Sequence, residues 1–105
     1  MADKKSETFR VAVLDDYEGM ADKASAYQQL KQRAEVKILR ERLETDTELG
    51  RALEDAHAVL LVRERTRFGE KQISLAPSLK LIAQTGKTTA HLDVPAATKR
   101  GIAIA

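Results

Sequence analysis

The sequence predicts an α/β domain in three layers, a parallel sheet of about five strands with helices on both faces. Two observations carry that expectation. Short β-branched apolar runs alternate with amphipathic stretches at spacings of about twenty residues, in the order βαβαβαβαβ. One of those runs, AVLLV at 58–62, is apolar throughout, as a strand buried on both faces must be. Successive parallel strands then need right-handed crossovers, and in sheets of this kind ligands sit beyond the carboxyl ends of the strands.

The elements follow in order. FRVAVL at 9–14, closed by Asp15 and Asp16, reads as the first strand. In ADKASAYQQLKQRA at 21–34, Ala24, Tyr27, Leu30 and Ala34 recur at helical spacing, which predicts an amphipathic helix. EVKIL at 35–39 sets Val36 and Ile38 against Lys37, and this alternation suits a strand nearer the sheet edge. Thr45 with Glu48 three residues on is a capping-box signature, so the second helix should begin there and run to about Asp55. After the AVLLV strand come a short helix over 68–75 stopped by Pro77, a fourth strand over 79–85, and a helix over 93–100. That last helix has Asp93 as N-cap, Pro95 in its first turn and Gly101 at its C-terminal cap. IAIA at 102–105 begins a fifth strand, while 1–8 is polar and expected to be a flexible terminus.

Length and composition bound the function. A chain of 105 residues makes one domain, and 43% hydrophobic with 32% charged residues is the balance of a soluble globular chain. Eighteen basic against sixteen acidic residues, with no long block of one sign and four aromatic residues, disfavour nucleic acid as a partner. No stretch has the length and apolarity of a membrane span or a signal peptide, and there is no cysteine, so the expected address is cytoplasmic.

Several motifs bear on chemistry. TGKTT at 85–89 looks like the tail of a phosphate-binding loop, but that loop needs a glycine at the position of Leu81, inside the fourth strand. What remains is a glycine at a strand end followed by Lys87 and two threonines, a cradle for a small anion or a solvated turn. Asp15 and Asp16 occupy the place where phospho-receiver domains hold magnesium. The third strand nevertheless ends in Val62, Arg63, Glu64 and Arg65 rather than in a phospho-accepting Asp, so the pair is expected to cap a loop or the next helix. RERT at 63–66 is a polar cluster at a strand's carboxyl end, and its arginines suit bidentate binding of a carboxylate or phosphate; surface ion pairing is the alternative. His57 lies at the amino end of the third strand and reads as structural. His91 lies beside TGKTT, but with no Asp, Glu or Ser constellation around it in sequence it is a weak general-base candidate.

LVRERT, a short helix, LKLIAQTG and then HLDVPAATKRGIAIA, in this order, resemble the D-isomer-specific 2-hydroxyacid dehydrogenases, a phosphoglycerate dehydrogenase-like family, over nearly the whole chain. The matching positions are Val62, Arg63, Glu64 and Thr66, then Gly86, then Asp93, Ala96, Ala97, Gly101 and Ile102. The resemblance implies a flavodoxin-like substrate-binding domain over 9–105 that stops at its fifth strand. In it Arg63, Glu64, Gly86 and Lys87 grip a small 2-hydroxy or 2-oxo acid. Where many members carry a second glycine this chain has Thr88, and His91 stands where Asn is common.

The family's nucleotide-binding domain, with its catalytic Arg, Glu and His, has no counterpart here. The five glycines, 19, 50, 69, 86 and 101, cannot form a G-x-G-x-x-G fingerprint. The resemblance therefore implies no cofactor bound by this chain alone, NAD or NADP in a complete enzyme, and no turnover without the missing domain. It also implies an apolar surface, left where the family packs a C-terminal helix, and copies are expected to associate through that surface or through the short final strand IAIA. A stand-alone module of the same fold that binds a small anion at RERT and TGKTT is the other reading.

Overall fold

The computed structural model describes residues 9–19, 23, 25–41, 43–62, 66–85 and 89–105. Nine elements alternate through them: β1 (Phe9–Leu14), α1 (Ser25–Lys31), β2 (Ala34–Ile38), α2 (Asp46–Leu53), β3 (Ala58–Leu61), α3 (Glu70–Ser74), β4 (Leu81–Gln84), α4 (Val94–Lys99) and β5 (Ala103–Ile104). The strands form one parallel sheet in the order β2-β1-β3-β4-β5. The apolar run thus occupies the centre, and the alternating run lies at an edge with Glu35 and Lys37 exposed.

Register explains the two cores. Val36, Val11, Ala58, Leu81 and Ala103 are paired across the sheet, so their side chains share one face, while the residues between them point to the other. The latter face is the larger core: Ala12, Leu14, Val59, Leu61 and Ile82 pack there with Leu49 and Leu53 of α2, Ile73 of α3 and Ala97 of α4. Phe68, fully buried just ahead of α3, is its largest side chain.

The caps expected from sequence are formed. Thr45 Oγ1 accepts the Glu48 amide while Glu48 reaches back to the Thr45 amide, a reciprocal box that starts α2. Asp93 Oδ1 accepts the Ala96 amide at 3.0 Å, and Gly101, at φ +73°, closes α4 in a left-handed turn that glycine enters without steric cost.

The helix predicted over 21–34 is shorter. α1 ends at Lys31, and Ala34, predicted on its apolar stripe, is instead the first residue of β2 and buried. Arg33 N–H donates to the Leu30 carbonyl at 2.9 Å in the turn that redirects the chain into the strand, and Leu30 is left exposed. A pattern of period 3.6 continued across this turn because its last member faces the core from a strand. Phe68, predicted to start the third helix, instead forms an isolated parallel bridge with Leu92, and that helix begins at Glu70.

Candidate functional site

The carboxyl ends of β1, β3 and β4 lie side by side. Leu61 is the register partner of Gln84, the Thr85 amide donates to the Leu61 carbonyl at 3.0 Å, and the Val62 amide donates to the Leu14 carbonyl at 3.3 Å. Pairing therefore continues to Val62 and Thr85, so these two residues end on the same side of the sheet. Arg63, Glu64, Gly86 and Lys87 fall in those segments and lie outside the described residues. Leu81, in the position where a phosphate loop would need glycine, is in β4.

The residues that flank the loops are tied together. The Phe68 amide donates to the His91 carbonyl at 2.7 Å, and the Asp93 amide donates back to the Phe68 carbonyl at 3.1 Å. This two-bond bridge joins the stretch after 63–65 to the stretch after 86–88, with the Phe68 ring as its buried anchor.

Asp15 makes the second tie. It sits just past the end of β1, buried, at φ +64°, the one non-glycine residue with positive φ among those described. Its carboxylate accepts the hydroxyl of Thr66 and, at 3.2 Å, the hydroxyl of Tyr17. The acidic pair was expected to cap a loop or helix. Asp15 instead reaches across the sheet to the arginine loop, and the turn itself is closed by backbone bonds, Tyr17 N–H to the Asp15 carbonyl and Gly19 N–H to the Asp16 carbonyl.

The two histidines part company. His57 is structural, as its place at the amino end of β3 implies: its Nδ1 accepts the Arg10 amide, and its ring stacks on Phe9. His91 lines a cavity of about 520 Å³ with Arg67, Lys71, Gln72 and Asp93. Both of its ring nitrogens are buried without a hydrogen-bond partner among the described residues. Among the described residues no three His, Asp or Glu side chains converge to hold a metal ion. None of their helices is long and apolar enough to cross a membrane.

Sequence reasoning missed the Asp15–Thr66 contact. Only the expected adjacency of the ends of β1 and β3 could have suggested it, because the two residues are 51 positions apart.

Fold and strand order together define a parallel α/β domain, a class in which ligands sit beyond the carboxyl ends of the strands. The chain belongs to the D-isomer specific 2-hydroxyacid dehydrogenase family, whose catalytic-domain model matches residues 11–105. Among solved structures, an oxidoreductase from Ralstonia solanacearum, provisionally described as a D-3-phosphoglycerate dehydrogenase, superposes with a TM-score of 0.83 at 32% identity, over 92% of this chain and 29% of that one. The TT0316 protein of Thermus thermophilus gives 0.74 at 26% identity, over 91% of this chain and 29% of that one. The NAD+-bound 3-phosphoglycerate dehydrogenase of Entamoeba histolytica shares the fold with a TM-score of 0.77 at 19% identity, over 92% of this chain and 32% of that one. This chain thus spans about a third or less of the structures it resembles. No curated protein matches it.

Proposed function

We propose that this chain is the substrate-binding domain of an NAD(P)-dependent D-2-hydroxyacid dehydrogenase. In this reading Arg63 and Lys87 supply cationic donors to the carboxylate of a 2-hydroxy or 2-oxo acid, Gly86 lets the backbone amides approach it, and Glu64 orients the arginine. The observation that supports the reading is the pairing of β3 with β4 up to Leu61 and Thr85, so that the two strands end side by side, in a chain of this family. The hydride acceptor and the proton-transfer groups belong, in this reading, to the family's nucleotide-binding domain, and the part of residues 9–105 is to hold the substrate.

Titration of the chain with pyruvate, 2-oxoglutarate and 3-phosphohydroxypyruvate, followed by amide chemical shifts, tests this directly. Binding of at least one acid, weakened tenfold or more by Arg63→Ala, supports it; a loss of that order is what removing a charge-assisted hydrogen bond costs. NADH oxidation that appears only when a nucleotide-binding domain of the family is added completes the case. Absence of binding to all three acids sinks it, and tight binding with no restorable oxidation favours a stand-alone anion-binding module.

A further inference from the structure

We propose that the cavity lined by Arg67, Glu70, Gln72 and Asp93 binds a small zwitterion of the α-amino acid class, with Arg67 as the partner of its carboxylate and Glu70 and Asp93 as the partners of its ammonium. None of the residues assigned to the substrate above takes part. Three observations carry the inference.

The first is that the cavity is preformed. Its volume is about 520 Å³, within the range of small-molecule sites. Arg67, Gly69, Glu70 and Gln72 come to it from one segment, and His91, Asp93 and Pro95 from another. Backbone bonds join the two segments, from the Phe68 amide to the His91 carbonyl at 2.7 Å and from the Asp93 amide to the Phe68 carbonyl at 3.1 Å. The buried Phe68 ring anchors that junction, so no ligand is needed to bring the segments together.

The second is charge. Among the described residues the side chains of Arg67 and Glu70 form no ion pair or hydrogen bond, although they stand three positions apart and line the same cavity. Lys71 is committed to Asp46 at 2.8 Å, and Asp93 gives Oδ1 to the Ala96 amide. One uncommitted cation therefore shares the cavity with two carboxylates. A phosphate dianion would meet a net negative surface, and a simple monocarboxylate would answer the arginine alone. A zwitterion answers both signs. The His91 ring nitrogens are buried, so the polar contacts fall to these side chains.

The third is Gly69. At φ −92° and ψ −166° its backbone is extended, a conformation open to any residue, so the turn does not call for glycine. A Cβ there would stand 3.4 Å from Gln72 Oε1 and 3.9 Å from Arg67 Nε. The absent side chain thus leaves a gap that Arg67 and Gln72 border. Gln72 Oε1 accepts the Gly69 amide at 2.8 Å, which fixes the side-chain amide and leaves its NH₂ as a second donor beside the guanidinium.

Amide chemical shifts of the 105-residue chain, followed through titration with glycine and with L-alanine, test the proposal. Both should shift the amides of 67–72 and 90–93 saturably, in the millimolar range that an open cavity with one guanidinium implies. Acetate and methylammonium, each carrying one of the two charges, should bind about tenfold more weakly or worse, and inorganic phosphate should leave these amides unmoved. Arg67→Ala and Glu70→Gln should each weaken glycine binding about tenfold. Gly69→Ala should abolish it by filling the gap, while the chain still folds because the added methyl stands at ordinary contact distance. Thermal melts of the three variants check that they fold, and Arg63→Ala should bind glycine as the wild type does.

The absence of a saturable shift with either amino acid overturns the inference, as does wild-type affinity in Arg67→Ala. Acetate or phosphate binding as tightly as glycine would replace it with a plain anion site. A loss of glycine binding in Arg63→Ala would move the amino acid to the substrate loops.

Discussion

His57 Nδ1 accepts the backbone N–H of Arg10 at 2.9 Å, and the His57 ring stacks on Phe9 with centroids 5.2 Å apart and planes 19° from parallel. This pins the entry of β1 to the entry of β3, at the opposite end of the sheet from the loops. The His57 main chain adds to it: its amide donates to the Arg10 carbonyl, and its carbonyl receives the amides of Lys80 and Leu81. His57→Ala should therefore cost about 1–2 kcal/mol, from an amide left without its acceptor and the loss of an aromatic pair. Urea denaturation reads that loss, while affinity for 2-oxo acids should stay as in the wild type. A variant of wild-type stability with impaired acid binding would put His57 in the site instead.

Arg100 Nη1 donates to the Ile73 carbonyl at 2.5 Å, and Nη2 donates to those of Ala76 and Pro77 at 3.1 and 3.3 Å. Ile73 is in the last turn of α3 and Ala76 and Pro77 are in the turn that follows it, so one guanidinium adds donors to the end of a neighbouring helix and ties the end of α4 to it. Arg100→Ala should lower stability by about 1 kcal/mol, since the side chain is largely exposed and its bonds compete with water. Arg100→Lys should recover less than half of the loss, because a single ammonium cannot fork to carbonyls of different residues. Equal midpoints for the lysine variant and the wild type would show that charge alone matters here.

Such particulars separate what could be read locally from what could not. The caps at Thr45 and Asp93, the edge character of β2 and the central place of β3 were legible because each depends on residues within one turn or one strand. The end of α1 was not, since Ala34 continues a helical stripe while facing the core from a strand. Asp15 was visible as one of an acidic pair, but its bond to Thr66 depends on strand order and on a backbone angle that no local pattern encodes. Of the site, the adjacency of the strand ends at Val62 and Thr85 was legible from the order of the elements. The roles of Arg63, Glu64, Gly86 and Lys87 rest on chemistry that their flanking residues only frame.

Lys71 Nζ lies 2.8 Å from Asp46 Oδ2 and links α3 to α2 across the surface of the larger core. The hydrogen bond to Asp46, then its charge, raise the Lys71 pKa above the ordinary 10.5, with burial pulling weakly the other way. A folded-state value above the unfolded one means that the contribution is complete below 10.5 and disappears as pH rises through the raised value. Lys71→Met should thus lower the thermal midpoint slightly at pH 7, and the difference should vanish both in 1 M salt, which screens exposed pairs to within about 3 Å, and at strongly alkaline pH. A difference that survives both conditions would assign the effect to packing by the lysine stem.

The second sheet face is covered unevenly. Val11, Val13, Ala34 and Ala58 are buried on it, near β2 and the helix α1 that packs there, whereas Leu60, Val62 and Leu81 are only partly buried and Ala103 is exposed. Apolar side chains that remain wet gain roughly 25 cal/mol for each Å² that a partner covers. Because the face opens progressively towards β5, a two-residue edge strand, a second copy could stack on Leu60 and Leu81 without extending the sheet. We propose that the isolated chain self-associates through this face. Sedimentation should show mass rising with concentration, and Leu81→Glu should hold the chain monomeric while leaving 2-oxo acid binding intact, because Leu81 opens β4 at the amino end, away from the loops. A wild-type chain that stays monomeric at high concentration would sink the proposal, and one that associates equally well as Leu81→Glu would move the contact to another surface.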